Sequence, residues 1–148
     1  MKKRASLLII CFWLLAGTAP AQLKAIPSNV NRAFISKYPA AANVSWLNDS
    51  GCYAARFYNR GEPCTVRFNA KGEWLDETQK LSFGNLRNSV RNAYSQSKFA
   101  SWRAREVNAI REKDKEVEYR ILILNNNQEK RYIYIDSKGQ IKREVMTL

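Results

Sequence analysis

From Asn43 to Met146 the chain divides into eight short runs of alternating apolar and polar side chains, most of them closed by Asn, Asp, Gly or Pro. Alternation with period two is the mark of a strand with one buried face, so this stretch reads as antiparallel sheet folded in hairpins. The runs are Asn43 to Leu47, Cys52 to Tyr58, Pro63 to Asn69 and Glu73 to Glu77, then Ala100 to Ile110, Val117 to Leu124, Arg131 to Asp136 and Gln140 to Met146. Two segments carry helical spacing instead. Pro27 sits in the first turn of one, Val30, Phe34 and Tyr38 follow at intervals of four, and Pro39 ends it. The other spans Gly84 to Gln96, with Leu86, Val90, Ala93 and Tyr94 on its apolar face.

The two halves resemble each other. A shift of 56 places lays Val30, Phe34, Tyr38, Ser45 and Trp46 over Leu86, Val90, Tyr94, Ser101 and Trp102. Further along the shift grows to 66 or 67, where Tyr53, Ala55 and Phe57 fall over Tyr119, Ile121 and Ile123. The turn Asn69-Ala70-Lys71-Gly72 then matches Asp136-Ser137-Lys138-Gly139. Features recurring in one order point to tandem duplication. The expected fold class is α+β: two tandem repeats, about 24–80 and 81–148, each one helix packed on a roughly four-stranded antiparallel meander. Together they form one sheet with the helices on one face, and Trp46 and Trp102 are expected in matching places.

The first 21 residues read as an address. Lys2, Lys3 and Arg4 form a positive start, Leu7 to Leu15 an apolar run too short to span a bilayer, and Ala19-Pro20-Ala21 a small-residue cleavage site before Gln22. Residues 22–148 then form a single domain, secreted across the inner membrane into the periplasm and not membrane-spanning. Loss of the three leader cations takes the formal charge of the 148-residue chain from +12 to +9. These charges are dispersed through apolar segments, so the chain is basic without being a disordered tail. In that compartment the anionic partner implied by the charge is an envelope polymer, a lipid head group or an acidic protein, and no nucleic acid.

The chain has no His, which removes Ser-His-Asp and Cys-His nucleophiles, His metal ligands and the usual acid–base side chain near neutral pH. Cys52 and Cys64, left after the leader Cys11, cannot build a zinc site. Asp76 and Glu77 are adjacent on a strand and point to opposite faces, so they cannot flank one bond. No catalytic residue, metal or cofactor is expected, and the chain reads as a non-enzyme.

Alternation assigns the faces. Tyr53, Ala55, Phe57, Cys64, Val66 and Phe68 form the helix-covered side of the first half; Tyr119, Ile121, Ile123, Ile133 and Ile135 form that of the second. The uncovered side then collects Arg56, Tyr58, Arg67, Arg120, Leu122, Leu124, Tyr132 and Tyr134. Aromatic, aliphatic and Arg side chains together are the mixture enriched at binding hot spots, and these eight residues are the candidate partner-binding face. In this register Phe57 lies opposite Cys64 and Cys52 opposite Asn69. The two thiols fall on opposite faces, too far apart to bridge.

The leader, Ile26-Pro27-x2-Val30-x3-Phe34-x3-Tyr38-Pro39, Val44-Ser45-Trp46, Tyr53-x3-Phe57 and Phe68-Asn69-Ala70-Lys71-Gly72-Glu73-Trp74-Leu75 together resemble the PepSY-like, beta-lactamase-inhibitor-like proteins of the Gram-negative envelope. The resemblance spans residues 22–148 and is weaker in the second half, which has no Pro after Tyr94 and has Ile141 in place of Trp74. It implies a sheet of two helix-plus-four-strand repeats that grips a partner protein with its concave face. No inhibitory contact residue is carried over by it. The expected function is a secreted periplasmic binding module, as a protein or enzyme inhibitor; the alternative is a basic accessory protein that binds anionic envelope material.

Overall fold

Pro27 and Arg87 lead into the two helices with the same backbone, φ −57° in both and ψ 142° and 146°. The computed structural model describes residues 25–49 and 51–147, so the proposed leader, 1–21, lies outside the described residues. Helix α1 is Ser28–Lys37 and α2 is Asn88–Ser95. The second is shorter than its periodicity suggests. Phe83–Asn85 form one 3-10 turn, and Leu86 and Arg87 then run extended, so only Asn88 onward is α-helical. Leu86 is nevertheless buried, which explains why it fits an apolar helical pattern.

The strands are β1 (Ala42–Asp49), β2 (Cys52–Asn59), β3 (Glu62–Asn69), β4 (Trp74–Leu81), β5 (Arg103–Glu112), β6 (Glu118–Leu124), β7 (Lys130–Asp136) and β8 (Ile141–Thr147). They form one eight-stranded sheet in sequence order, each antiparallel to the next. The fifth strand starts later than Ala100, because residues 98–102 form turns in which Ser97 accepts from Ala100 N–H and Phe99 from Trp102 N–H.

The core lies between the sheet and the helices, in two clusters. Val30, Phe34 and Tyr38 pack on Tyr53, Ala55, Phe57, Val66 and Phe68. Phe34 meets Trp46, Phe57 and Phe68 edge to face at centroid distances of 5.2, 5.1 and 6.5 Å, geometry in which ring edges meet ring faces favourably. Val90 and Tyr94 pack on Val107, Ile121, Ile123, Ile133 and Ile135. Every inward residue named from the alternation is buried.

The 56-place superposition of the helices is out by one helical turn. Asn29 and Ser89 take the same place, each with its backbone carbonyl against a turn glycine, Gly72 and Gly139 respectively. Asn29 donates its side-chain amide to Ala70 O and Ser89 its hydroxyl to Ser137 O, at 3.0 and 2.8 Å. The structural correspondence therefore runs at 60 places, with Val30 on Val90 and Phe34 on Tyr94. Residues four apart share a helix face, so an apolar pattern alone reads equally well one turn away. The tryptophans are not equivalent either. Trp46 pairs with Ala55 within β1, whereas in the second half Val107 pairs with Ile121 and Trp102 precedes β5. Trp102 still packs on its cluster, edge to face with Phe99 at 5.3 Å, and its carbonyl accepts from the Tyr94 hydroxyl.

Candidate functional site

Register places all eight candidate residues on the helix-free side. Arg56 and Tyr58 come from β2, Arg67 from β3, Arg120, Leu122 and Leu124 from β6, and Tyr132 and Tyr134 from β7. They form two groups. Strands β3 and β6, the facing edges of the two groups, are three strand spacings apart, roughly 14 Å at about 4.8 Å per strand. Strands β4 and β5 fill the interval.

The β6–β7 group is the more apolar. Leu122 pairs with Tyr132 and Arg120 with Tyr134, and β8 extends the rows, with Val145 opposite Tyr132 and Arg143 opposite Tyr134. Guanidinium groups lie over both tyrosine rings, Arg120 at 5.1 Å from the Tyr132 centroid and Arg143 at 3.8 Å from that of Tyr134. Arg143 also pairs with Glu118 at 3.2 Å, and Arg120 approaches Glu106 at 3.9 Å. These contacts hold flat aromatic and guanidinium surfaces in place, which lowers the ordering cost of docking something against them. The Arg120 Nε is buried and finds no hydrogen-bond partner among the described residues.

At the other end Arg67 is held by Asp76, its Nε 2.9 Å from both carboxylate oxygens. Arg56 and Tyr58 line a recess of about 350 Å³ together with Thr65, Thr78, Lys80 and Asn108. Residues of β4 and β5 also belong to this face, beyond the eight candidates. The strand pairs place Asp76, Thr78 and Lys80 opposite Glu112, Ile110 and Asn108 on this same face. Trp74 lies opposite Phe68 and Asp76 opposite Arg67, so Leu75 is an extra residue that shifts the alternation of β4 by one. The β5 residues were readable, since Asn108 and Ile110 alternate with the buried Val107 and Ala109.

On the covered side a polar cluster joins the two halves. The Tyr38 hydroxyl donates to Glu77 Oε2 at 2.6 Å, Arg111 donates to Glu77 Oε1 at 2.6 Å, and Trp74 Nε1 donates to the Tyr38 hydroxyl at 3.1 Å. Burial, and then the bond to Glu77, holds the Tyr38 phenol above its ordinary range. Both oxygens of the buried carboxylate thus accept hydrogen bonds that tie α1 and β5 to β4. Among the described residues no three His, Cys, Asp or Glu side chains gather as metal ligands, and no helix is long and apolar enough to cross a membrane.

The architecture is shared with solved proteins of Bacteroides. A DUF2874 family protein from Bacteroides ovatus is 27% identical with a TM-score of 0.77, over 82% of this chain and 88% of that one. A BLIP-like protein from Bacteroides fragilis superposes with a TM-score of 0.78 at 22% identity, over 83% of this chain and 87% of that one. The fold is BLIP-like. A third structure, from Bacteroides eggerthii and described as periplasmic, is 25% identical with a TM-score of 0.76, over 82% of this chain and 89% of that one. No protein-family model and no curated protein matches the chain. The BLIP-like fold leaves its helix-free face without a covering element among the described residues, and that is where the eight candidate residues stand.

Proposed function

We propose that the chain is a non-enzymatic periplasmic binding module that docks a protein through the helix-free face of its sheet, in the manner of an inhibitor. The observation that carries this reading is the row of Leu122, Tyr132 and Val145 beside Arg120, Tyr134 and Arg143, an apolar and guanidinium surface with no element of the described residues over it. Interfaces take most of their binding energy from a few such aromatic and Arg side chains. The reading is supported by the BLIP-like fold, by a neighbour described as periplasmic and by the PepSY-like, beta-lactamase-inhibitor-like sequence pattern. It includes secretion by a leader cleaved before Gln22 and an origin of the two halves by duplication, for which the paired contacts of Gly72 with Asn29 and Gly139 with Ser89 speak.

The test is capture from a periplasmic extract with the wild-type protein and with Tyr132→Asp as bait. A protein retained by the first and lost by the second supports the reading; one retained equally by both defeats it. Binding to anionic envelope material is the second reading, favoured by the exposed Arg56 and Lys80, which have no acidic partner among the described residues. Raising the salt in the wash separates the two, because a polymer held by counterion exchange elutes while a packed apolar interface persists.

A further inference from the structure

The charges on the open face are mostly answered within the chain. Asp76 takes Arg67, Glu106 takes Arg120 and Glu118 takes Arg143. The recess on β2–β5 is different. Arg56 and Lys80 are its two cations, no acidic side chain lines it among the described residues, and Thr65 and Thr78, with Asn43 and Ser45 from β1, add neutral polar groups around them. Asn108, opposite Lys80 and buried, forms the floor toward β6, its amide donating to Glu106 at 2.6 Å. Tyr58 forms an exposed aromatic wall. Two cations among neutral hydroxyl and amide groups give the recess a net positive charge, and a carboxylate accepts from such cations with charge-assisted bonds.

We propose that this recess receives an Asp or Glu side chain from a protruding loop of the docked protein. The inference rests on the protein-binding reading and names the chemistry of the partner. A recess of about 350 Å³ admits the side chains of a loop and excludes a packed helix or strand pair. Tyr58 gives the aliphatic stem of the acid an apolar contact, and the Leu122–Tyr132 row lies beyond β5 to meet the partner's apolar surface.

The purified protein is titrated with three probes while backbone amides are followed by nuclear magnetic resonance: N-acetyl-Gly-Glu-Gly-amide, the same peptide with Gln, and dextran sulfate. The Glu peptide is expected to shift the amides of Thr65, Thr78, Lys80 and Asn108, with the Gln peptide at least fivefold weaker. Arg56→Gln with Lys80→Gln is expected to abolish the response, whereas Tyr132→Asp retains it. Equal responses to Glu and Gln, or a double variant that responds like the wild type, overturn the proposal. Dextran sulfate shifting basic residues over the whole surface while the Glu peptide shifts none overturns it in favour of a polymer ligand. The outcome is independent of the capture experiment, so a failed recess and a failed docking face are told apart.

Discussion

A methyl group added at Gly139 would stand 2.7 Å from the backbone carbonyl oxygen of Ser89, closer than side-chain carbons approach such atoms. With φ at +92°, this glycine lets the β7–β8 turn press against the start of α2. A methyl group added at Gly61, in the β2–β3 turn at φ +84°, would meet nothing within 4 Å beyond its chain neighbours. Replacing either by Ala forces a side chain into the left-handed region, at about 1–2 kcal/mol. Gly139→Ala must also move backbone, and its loss of stability in urea unfolding is expected to be at least twice that of Gly61→Ala. Equal losses would mean that the helix yields to the turn without cost.

The two faces of the sheet should respond differently to substitution. Phe57 is buried among Phe34, Tyr38 and Cys64, and Phe57→Ala is expected to cost about 3–5 kcal/mol through lost contacts and a cavity. Leu122 is half-buried on the open side, so Leu122→Asp is expected to cost less than about 1.5 kcal/mol while abolishing partner capture. Thermal unfolding of both variants checks the assignment, and equal losses would contradict it.

The faces were legible because strand alternation is strict where pairing is regular. From Cys52 to Asn69 the register follows from the residues alone, down to Phe57 opposite Cys64 and Cys52 opposite Asn69. What was not legible has local causes. The helices were overlaid one turn out, since Leu86 is buried before its helix begins and so mimics a helical position. Thr78 and Lys80 were not legible because the extra residue at Leu75 offsets the alternation of β4 and because the strand runs on to Leu81, past the run that ends at Glu77. The ion pairs Arg67–Asp76 and Arg143–Glu118 join residues that only register brings together.

The two thiols of the described chain should differ in reactivity. Cys64 is buried in the first core cluster, and burial, followed by the nearby Glu77 charge, pushes its thiol up to about 12. Cys52 stands half-buried on the other face, and both are free. A thiol that stays protonated and enclosed is a poor nucleophile. Iodoacetamide on the native protein is therefore expected to add one group, at Cys52, with Cys64 labelled only after denaturation. Peptide mapping that finds Cys64 modified first would place it outside the core.

The acid limb of stability should contain a step from Asp136. Its Oδ1 accepts the backbone N–H groups of Gln140 and Lys138 at 2.8 and 3.0 Å, and Lys142 pairs with Oδ2 at 3.1 Å. The Gln140 bond above all, with the Lys142 and Lys138 contacts, holds the carboxyl below its ordinary value of 3.8. A carboxylate depressed in the folded state stabilises the fold at pH values above the ordinary one, and that contribution is lost as pH falls through the folded value. Asn69 does the same work in the β3–β4 turn with a neutral side chain, its Oδ1 accepting from Lys71 and Glu73 N–H at 3.0 Å each. Asp136→Asn is therefore expected to keep the turn while forfeiting the Lys142 pair. The variant should be less stable than wild type at pH 7, and the gap should close as pH falls below the ordinary carboxyl value of 3.8 and through the depressed one, where the wild-type carboxyl takes up its proton. A stability difference that stays constant from pH 7 to pH 2 would show that the Asp136 charge contributes nothing and that only the shape of the turn matters.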